Sequence, residues 1–270
     1  MKTSGIHLSL FLCLMPGLLN SGAMARNKVI EINRSPLQVN LEDMTVPPHI
    51  RLSVLEGDVS IRAQDRQQIQ VDIEDVEDAP QGMKAFLVVD SENGRVTLSL
   101  GGPFSDSDVE CIVPESASIS VSTIDGDIEI EGLQGDIECS TMDGSIVINN
   151  VSGRISASSK DGDIVIRLND RITSRPISAS TEDGDIELAL PANPNISLKA
   201  STMDGDIESH YPIGAIKKKD GDGRNRTVWD NLFDEHTLHG AIGEGTLPVQ
   251  LNTLDGDIVI VPSNFQSTKN

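Results

Sequence analysis

The stretch Thr123-Ile124-Asp125-Gly126-Asp127-Ile128-Glu129-Ile130 decides the fold, because it joins a turn signal to an alternating strand pattern. Glycine tolerates positive φ, and an aspartate before it can accept hydrogen bonds from the N–H groups of a turn. The Ile-Glu-Ile that follows has the period of two that is typical of a half-buried strand. Six copies of Thr or Ser, a variable residue and Asp-Gly recur along the chain. The sequence therefore predicts a repeat protein built from turns and strands.

The spacing of the turn glycines indicates how the repeats are arranged. Between residues 119 and 168 they are nine residues apart, at Gly126, Gly135, Gly144, Gly153 and Gly162. Such units can form an antiparallel meander, or the half-coils of a solenoid whose strands stack in parallel. The solenoid is favoured because identical residues recur at the same phase, so that stacking places Ile on Ile and Thr on Thr. We predict an all-β fold, a parallel β-solenoid or single-stranded β-helix with about 18–22 residues per coil and an irregular β-rich N-terminal cap.

The N-terminal segment has the pattern of an export signal. Lys2 precedes an apolar stretch, and Ala23-Met24-Ala25 has the A-x-A form of a cleavage site. We therefore expect an exported protein that is periplasmic, on the cell surface or secreted. We expect a signal peptide at residues 1–25 and a β-rich part with the solenoid start at 26–115. The repeat solenoid follows at 116–262 with a loop insertion at 209–244, and a tail occupies 263–270.

Composition restricts the classes of partner. Lys and Arg total 21 against 42 Asp and Glu, a formal net charge of -21, which repels nucleic acid and anionic lipid surfaces. The mature part has no apolar run long enough for membrane insertion. We expect no nucleic-acid partner and no membrane insertion, and an envelope or surface partner that the sequence does not identify. End-to-end self-association stays open, because the last coil of a solenoid exposes an unpaired sheet edge.

Stacking every eighteen residues would place Asp125, Asp143 and Asp161 in one row, which Asp183 and Asp204 continue and Asp255 resumes after an insertion. Most of these are followed two residues later by a second Asp. One interpretation is turn geometry, with carboxylates accepting backbone hydrogen bonds and Thr hydroxyls forming a ladder of their own. The other is calcium, the one cofactor left open, bound by Asp125, Asp127, Asp143, Asp161, Asp163, Asp183, Asp185, Asp204 and Asp206. Turn geometry is favoured, because the G-G-x-G-x-D pattern of calcium β-rolls is missing.

The loop at 209–244 interrupts the repeat and differs from the rest of the chain in chemistry. It holds Tyr211, Trp229, His236 and His239. The two histidines are three residues apart, but no cysteine is nearby to complete a zinc site, so a solvated loop is the preferred interpretation. If the protein binds a partner selectively, we expect this loop to supply the selectivity.

An enzyme is not expected from these residues. No G-x-S-x-G sequence is present, no cysteine has a plausible histidine partner, and three of the five histidines cluster in the 209–244 loop. The enzyme class left open is a polysaccharide lyase or hydrolase on a parallel β-helix, with Asp161, Asp163, Asp183 and Asp185 as candidate carboxylates. The uniform Asp row and the 3% aromatic content count against it. A disulfide between Cys111 and Cys139 stays open for an exported chain, but Cys139 continues the alternation of its strand, so a core role is favoured.

The order of the motifs resembles that of the bacterial "putative adhesin" domain, a largely uncharacterised family built from β-strand repeats. The resemblance begins with Val113-Pro114 and Ile119-Ser120-Val121-Ser122-Thr123, continues through Ser180-Thr181-Glu182-Asp183-Gly184-Asp185-Ile186, and closes with Asn252-Thr253-Leu254-Asp255-Gly256-Asp257-Ile258. It covers roughly residues 50 to 261. The resemblance implies an exported or envelope protein with a structural or adhesive role rather than an enzyme, and it supplies no catalytic residues.

Overall fold

The computed structural model describes residues 27–32, 35–41, 46–74, 85–90, 93–99, 107–171, 175–214, 216–219, 225–228, 233–234 and 236–263. All regular elements in these residues are β-strands, which confirms the predicted all-β fold. Within the same ranges there is no helix that is long and apolar enough to cross a membrane. The expected signal peptide, Trp229 and all of the expected tail except Ser263 lie outside the described residues.

The strands are numbered along the chain as β1 (Asn27–Ile32), β2 (Leu37–Asn40), β3 (His49–Ser53), β4 (Val59–Gln64), β5 (Gln68–Ile73), β6 (Ala85–Asp90), β7 (Arg95–Ser99), β8 (Val109–Pro114), β9 (Ser118–Ser122), β10 (Ile128–Glu131), β11 (Ile137–Ser140), β12 (Ile146–Val151), β13 (Ile155–Ser158), β14 (Ile164–Leu168), β15 (Ile177–Ser180), β16 (Ile186–Leu190), β17 (Ile196–Ser201), β18 (Ile207–Ser209), β19 (Ile216–Lys219), β20 (Asn225–Val228), β21 (Phe233–Asp234), β22 (Thr237–Ile242), β23 (Leu247–Asn252) and β24 (Ile258–Pro262). A twelve-stranded sheet, sheet A, has the order β1-β6-β7-β3-β9-β11-β13-β15-β23-β17-β22-β21. A ten-stranded sheet, sheet B, has the order β18-β24-β16-β14-β12-β10-β4-β8-β5-β2. Strands β19 and β20 form a separate antiparallel pair.

Each central coil contributes one strand to sheet A and the next strand to sheet B, and equivalent strands of successive coils pair in parallel. In sheet B the register joins Ile128 to Ile146 and Ile146 to Ile164. In sheet A it joins Ile119 to Ile137 and Ile137 to Ile155 in the same way. The predicted parallel solenoid is therefore confirmed, and the nine-residue spacing of the glycines corresponds to half a coil.

The core consists of aliphatic rows, because one residue type stacks on itself from coil to coil. Ile146, Ile164 and Ile186 are all completely buried, and alternate residues on the same strands face outward. Burying an isoleucine side chain contributes about 1.5–3 kcal/mol relative to its exposure, so the rows are the main source of stability. A coil cannot bury its own row alone and depends on its neighbours.

The spatial order of the coils differs from the order along the chain, and this corrects the expected Asp row. The last strands, β23 and β24, lie between the strands that carry Asp183 and Asp204, so that Asp255 pairs with both of these residues. The first coil, β3 and β4, is likewise inserted between the β7–β8 coil and the β9–β10 coil. Both ends of the solenoid thus contain a coil that is threaded between two others.

Antiparallel strands cover three of the four sheet ends. At the N-terminal end, β6 pairs with β7 and β5 pairs with β8, and β1 and β2 extend them outward. At the other end, β22 pairs with the outer edge of β17. The expected irregular β-rich N-terminal cap is present as these strands. Strand β18 is the remaining end, and it pairs only with β24 among the described strands.

Cys111 and Cys139 are free, buried and located in different sheets. Cys139 stacks between Val121 and Ala157, as a small core residue would. Burial raises the pKa of both thiols to about 12, and Glu138 adds to this effect at Cys139. Because the thiolate is the reactive form, both cysteines are inert core residues, which is the role favoured for Cys139 from the sequence.

The inserted C-terminal coil can be tested with paired cysteines on the outer face of sheet A. Ser178 lies opposite Gln250, and Gln250 lies opposite Lys199. We expect Ser178→Cys with Gln250→Cys to form a disulfide under mild oxidation, because neighbouring strands lie about 4.8 Å apart. The measurement is intact mass after alkylation, with and without reduction.

The matched control is Ser178→Cys with Lys199→Cys, two positions that would be neighbours if the coils followed chain order. Here β23 separates them, so they should stay reduced. Efficient crosslinking of this control pair, without crosslinking of the first, would contradict the inserted order.

Candidate functional site: the Asp-Gly-Asp corner

The repeated motif forms a corner at which seven coils turn from sheet A to sheet B. The residue before the corner glycine pairs with its equivalent on the next coil through single β-bridges. We call this series the first Asp row; in spatial order it is Glu56, Asp125, Asp143, Asp161, Asp183, Asp255 and Asp204. The second Asp row follows the glycine and comprises Asp58, Asp127, Ser145, Asp163, Asp185, Asp257 and Asp206. The predicted double acidic row is therefore present, with Ser145 as its gap.

Glycine is required at this corner for two separate reasons. Gly144 has a φ of 143°, a conformation that L side chains rarely adopt. A Cβ at this position would lie 2.2 Å from the carbonyl oxygen of Gly126 on the preceding coil. The same contact recurs at Gly162 with the Gly144 oxygen. The glycine row therefore sets how closely successive coils can stack.

The Thr or Ser three residues before the corner glycine bonds to the preceding coil of the stack. The Thr181 hydroxyl donates to the Gly162 carbonyl oxygen at 3.0 Å, and Thr253 donates to Gly184 at the same distance. Ser159 makes the equivalent bond to Gly144 at 3.0 Å. These side chains are buried, and their hydroxyls donate to glycine carbonyls rather than forming the expected hydroxyl ladder. The hydroxyl thus provides a donor for a carbonyl group at the close contact between coils.

The second Asp row carries a second set of bonds between coils. The Asp127 Oδ1 atom accepts the backbone N–H of Ser145 at 2.7 Å, and Asp185 Oδ1 accepts that of Asp257 at 2.8 Å. Asp163 Oδ1 accepts from the Asp185 N–H at 2.9 Å. Two carboxylates at strand spacing repel by about 0.9 kcal/mol in water, and charge-assisted hydrogen bonds of this type offset the repulsion. The second Asp row is thus part of the solenoid's own bonding.

The first Asp row makes a different use of its side chains. Six of its seven members are exposed, and Asp161 is half-buried. Lys160 forms an exposed ion pair with Asp161 at 3.0 Å, and this hydrogen bond raises the pKa of the lysine. The first Asp row therefore faces solvent as a line of negative charge.

The sequence pattern marks the residue just before each member of the first Asp row only as variable. In the structure this residue is exposed on every coil. In spatial order these positions hold Leu55, Ile124, Met142, Lys160, Glu182, Leu254 and Met203. The five apolar members are all exposed, from 44% for Leu55 to 72% for Met203. The sequence contained a signal that was missed, namely large apolar residues inside a turn.

The residues expected for calcium do not form a metal centre in the described part of the chain. There, no group of three or more His, Cys, Asp or Glu side chains is arranged to hold a metal ion. In addition, Asp127, Asp163 and Asp185 each use one carboxylate oxygen for a backbone N–H. Bonds between coils, rather than the expected bonds within the turn, thus account for the second Asp row, and the calcium interpretation is left to the solution measurement.

The loop residues proposed for binding are spread over different environments. The Tyr211 hydroxyl lies 2.9 Å from the carbonyl oxygens of both Leu190 and Pro191, and burial raises its pKa. Its ring packs against the core, so Tyr211 has a structural role. His236 is exposed, and its carbonyl accepts the Thr202 N–H, whereas His239 lies on β22 and is half-buried. Trp229, the fourth candidate, lies outside the described residues.

Gly144→Ala should strongly destabilise the protein. Backbone strain at such a φ costs about 1–3 kcal/mol, and the contact with the Gly126 oxygen adds to it. The measurement is the free energy of unfolding in urea. Gly214→Ala is the matched control, because its Cβ would meet only the Ala241 oxygen at 3.6 Å. The control should change stability by less than about 0.5 kcal/mol. Equal effects of the two substitutions would argue against close stacking at the corner.

Thr181→Val should cost about 1–3 kcal/mol, because it leaves the Gly162 carbonyl without the donor that the buried Thr181 hydroxyl supplies. Thr181→Ser keeps the hydroxyl, as Ser159 does naturally, and should restore most of the stability. Urea unfolding of the wild type and both variants measures the difference. A valine variant as stable as the serine variant would show that the hydrogen bond contributes nothing.

Calcium should not stabilise the protein specifically, because the described carboxylates form no metal-binding group. The measurement is the Tm with a chelator, with millimolar calcium and with millimolar magnesium as the control. We expect the two cations to give the same small shift, which screening of the acidic rows explains. A rise of several degrees with calcium alone would turn the acidic rows into a ligand site.

Comparison with known proteins supports the resemblance seen in the sequence. The family model Toastrack DUF4097 matches residues 104–261, more than half of the chain and a later start than the resemblance implied. No curated protein matches the chain.

Among solved structures, a "putative cell adhesion protein" from Clostridium sporogenes is 11% identical, with 84% of this chain and 100% of the other covered and a TM-score of 0.47. A "putative adhesin" from Bacteroides fragilis is 14% identical, with 89% and 100% covered and a TM-score of 0.43. On the family match, the chain belongs to the Toastrack DUF4097 family.

Proposed function

We propose that this protein is an exported, non-catalytic, adhesin-like β-solenoid that works as a structural or binding module at the bacterial cell envelope. The observation that carries the proposal is that the residues of the corner have two separate roles. Gly, Thr and the second Asp row serve contacts between coils, whereas the first Asp row and the positions before it face solvent. The protein thus has a long, regular outer surface whose exposed chemistry the fold does not require.

The bonds that the Asp side chains already make argue against catalysis at the Asp rows. A lyase or hydrolase needs carboxylates that are free to exchange protons with a substrate. Of the four candidates, Asp163 and Asp185 each accept a backbone N–H, and Asp161 is paired with Lys160. The row also repeats with little variation, whereas a catalytic site is a local exception to its surroundings. A display surface accounts for the uniform row better than an active site does.

Export is supported by the sequence pattern and by the charge. The N-terminal apolar stretch with its A-x-A site directs a chain out of the cytoplasm and is then removed. The full chain has a net charge of -21, and removal of the N-terminal segment takes away only one charged residue, Lys2, so the exported part stays strongly acidic. This charge keeps it from anionic lipid and favours contact with basic partners. We place the selectivity of that contact in the 209–244 loop together with the corner, since the loop is the largest departure from the repeat.

Cell fractionation of a bacterium that produces the full chain tests the proposal. We expect the protein in the envelope or the medium, with Arg26 as its first residue by N-terminal sequencing. Ala23→Asp with Ala25→Asp should block processing and leave the precursor at its full mass, because cleavage requires small residues at these positions. Recovery of unprocessed wild-type protein from the cytoplasm would contradict the proposal, as would polysaccharide turnover that disappears in Asp161→Asn with Asp183→Asn.

A further inference from the structure

The exposed apolar residues of the described chain are concentrated in one line. Seven large hydrophobic side chains are exposed there, and five of them occupy the position before the first Asp row. We call these five the apolar ridge: Leu55, Ile124, Met142, Leu254 and Met203. The position before the first Asp row is exposed on every coil, and two coils have a charged residue there, Lys160 and Glu182. The fold therefore does not require apolar residues at this place, and an exposed apolar line on a soluble surface marks a contact site.

Backbone bonds hold the ridge in register. The Met142 N–H donates to the Ile124 oxygen at 3.2 Å, and the Met203 N–H donates to the Leu254 oxygen at the same distance. Coils follow one another at about 4.8 Å, so the seven positions extend over about 29 Å. Lys160 and Glu182 divide the ridge into an apolar segment of three coils and another of two. A partner would meet a rigid, preformed line of side chains, which reduces the entropic cost of binding.

The charges beside the ridge identify the chemistry of its partner. Glu56, Asp125 and Asp143 are exposed and each directly follows a residue of the three-coil segment. An anionic lipid surface or a second copy of this chain, with its own acidic rows, would place like charges together. A partner that carries cations next to its apolar side chains satisfies both features.

The spacing of the ridge favours a helix as the occupant. An amphipathic helix presents apolar side chains once per turn, every 5.4 Å or so, which is close to the coil spacing of about 4.8 Å. The cavities of about 440 and 350 Å³ lie elsewhere, beside Gln134, and are lined by none of the ridge residues. The ridge is thus suited to a helix laid along it rather than to an enclosed small molecule.

We infer that the apolar ridge and the first Asp row together form a docking surface for a cationic amphipathic helix of a partner protein. The inference rests on the proposed function and names the class of partner for that module. Apolar contact with Leu55, Ile124 and Met142 supplies affinity, and pairing of the partner's lysines or arginines with the first Asp row sets its orientation.

The probe is a synthetic peptide of about 14 residues, about 21 Å long as a helix, with leucines on one face and lysines beside them. Its control is a peptide of the same composition, shuffled so that no apolar face forms. Fluorescence anisotropy with the purified protein should show at least tenfold tighter binding of the amphipathic peptide. Ile124→Ser with Met142→Ser should abolish this preference and leave the net charge unchanged.

Matched variants separate the two contributions. Val29→Ser removes an apolar side chain that is 58% exposed away from the ridge, and it should bind the peptide like the wild type. Asp125→Asn with Asp143→Asn should weaken binding most at low salt. Leu254→Ser with Met203→Ser provides a second ridge variant, and circular dichroism verifies that each variant is folded.

Equal binding of both peptides, or full binding by the Ile124→Ser, Met142→Ser variant, would reduce the effect to nonspecific charge attraction and overturn the inference. A wild-type dimer in sedimentation that the ridge variant dissociates would also overturn it, with a second copy as the occupant. The assay uses purified protein and does not depend on export. A cytoplasmic protein that still binds the peptide selectively would therefore contradict the proposed function and leave the docking surface standing.

Discussion

The close approach of successive coils at the corner glycines is the constraint on which the rest of the structure depends. For Gly126, Gly144 and Gly162, an added Cβ would lie 2.2 Å from the carbonyl oxygen of the preceding coil. Without that Cβ, the glycine carbonyl comes within reach of a hydroxyl on the next coil, and the second Asp row comes within reach of the next backbone N–H. The absence of a Cβ at one glycine per coil thus permits two sets of hydrogen bonds between coils, those of the Thr or Ser hydroxyls and those of the second Asp row. The polar part of the repeat is a consequence of backbone geometry before it is a matter of ligand binding.

Residues with one possible structural role were predictable from the sequence. The nine-residue spacing and the recurrence of isoleucine at one phase led to parallel stacking, which the pairing of Ile128, Ile146 and Ile164 confirms. The placement of Asp255 was not predictable. Each coil presents the same Ile, Thr, Gly and Asp rows, so the Asp183 coil can stack equally well on the Asp204 coil or on the Asp255 coil. Strand β22 determines which coil is the neighbour of the Asp183 coil. It covers the outer edge of β17, so β23 pairs with the inner edge and lies between β15 and β17.

The apolar ridge escaped sequence analysis for a related reason. A pattern search weights residues that repeat, and the position before the first Asp row holds Leu, Ile, Met, Lys or Glu. Repetition identified what the fold needs, whereas the exposed surface varies because the fold does not constrain it. The side chains of the second Asp row gave the opposite result. They repeat, and their repetition reflects bonds between coils such as that from the Asp257 N–H to Asp185.

The inserted coils explain how a repeat protein can keep such a surface rigid close to its ends. In a simple solenoid the last coil contacts one neighbour and frays most easily. Here the C-terminal strands β23 and β24 have a neighbour on each side, and the outermost coil, β17 and β18, is tied into the chain at both of its ends. The arrangement requires pairing across large separations, such as Asp185 with Asp257, 72 residues apart, so that folding is slowed by the distance along the chain. Leu55 and Leu254 lie on inserted coils, so these ridge positions are held from both sides, whereas Met203 lies on the end coil, where β18 pairs only with β24 among the described strands.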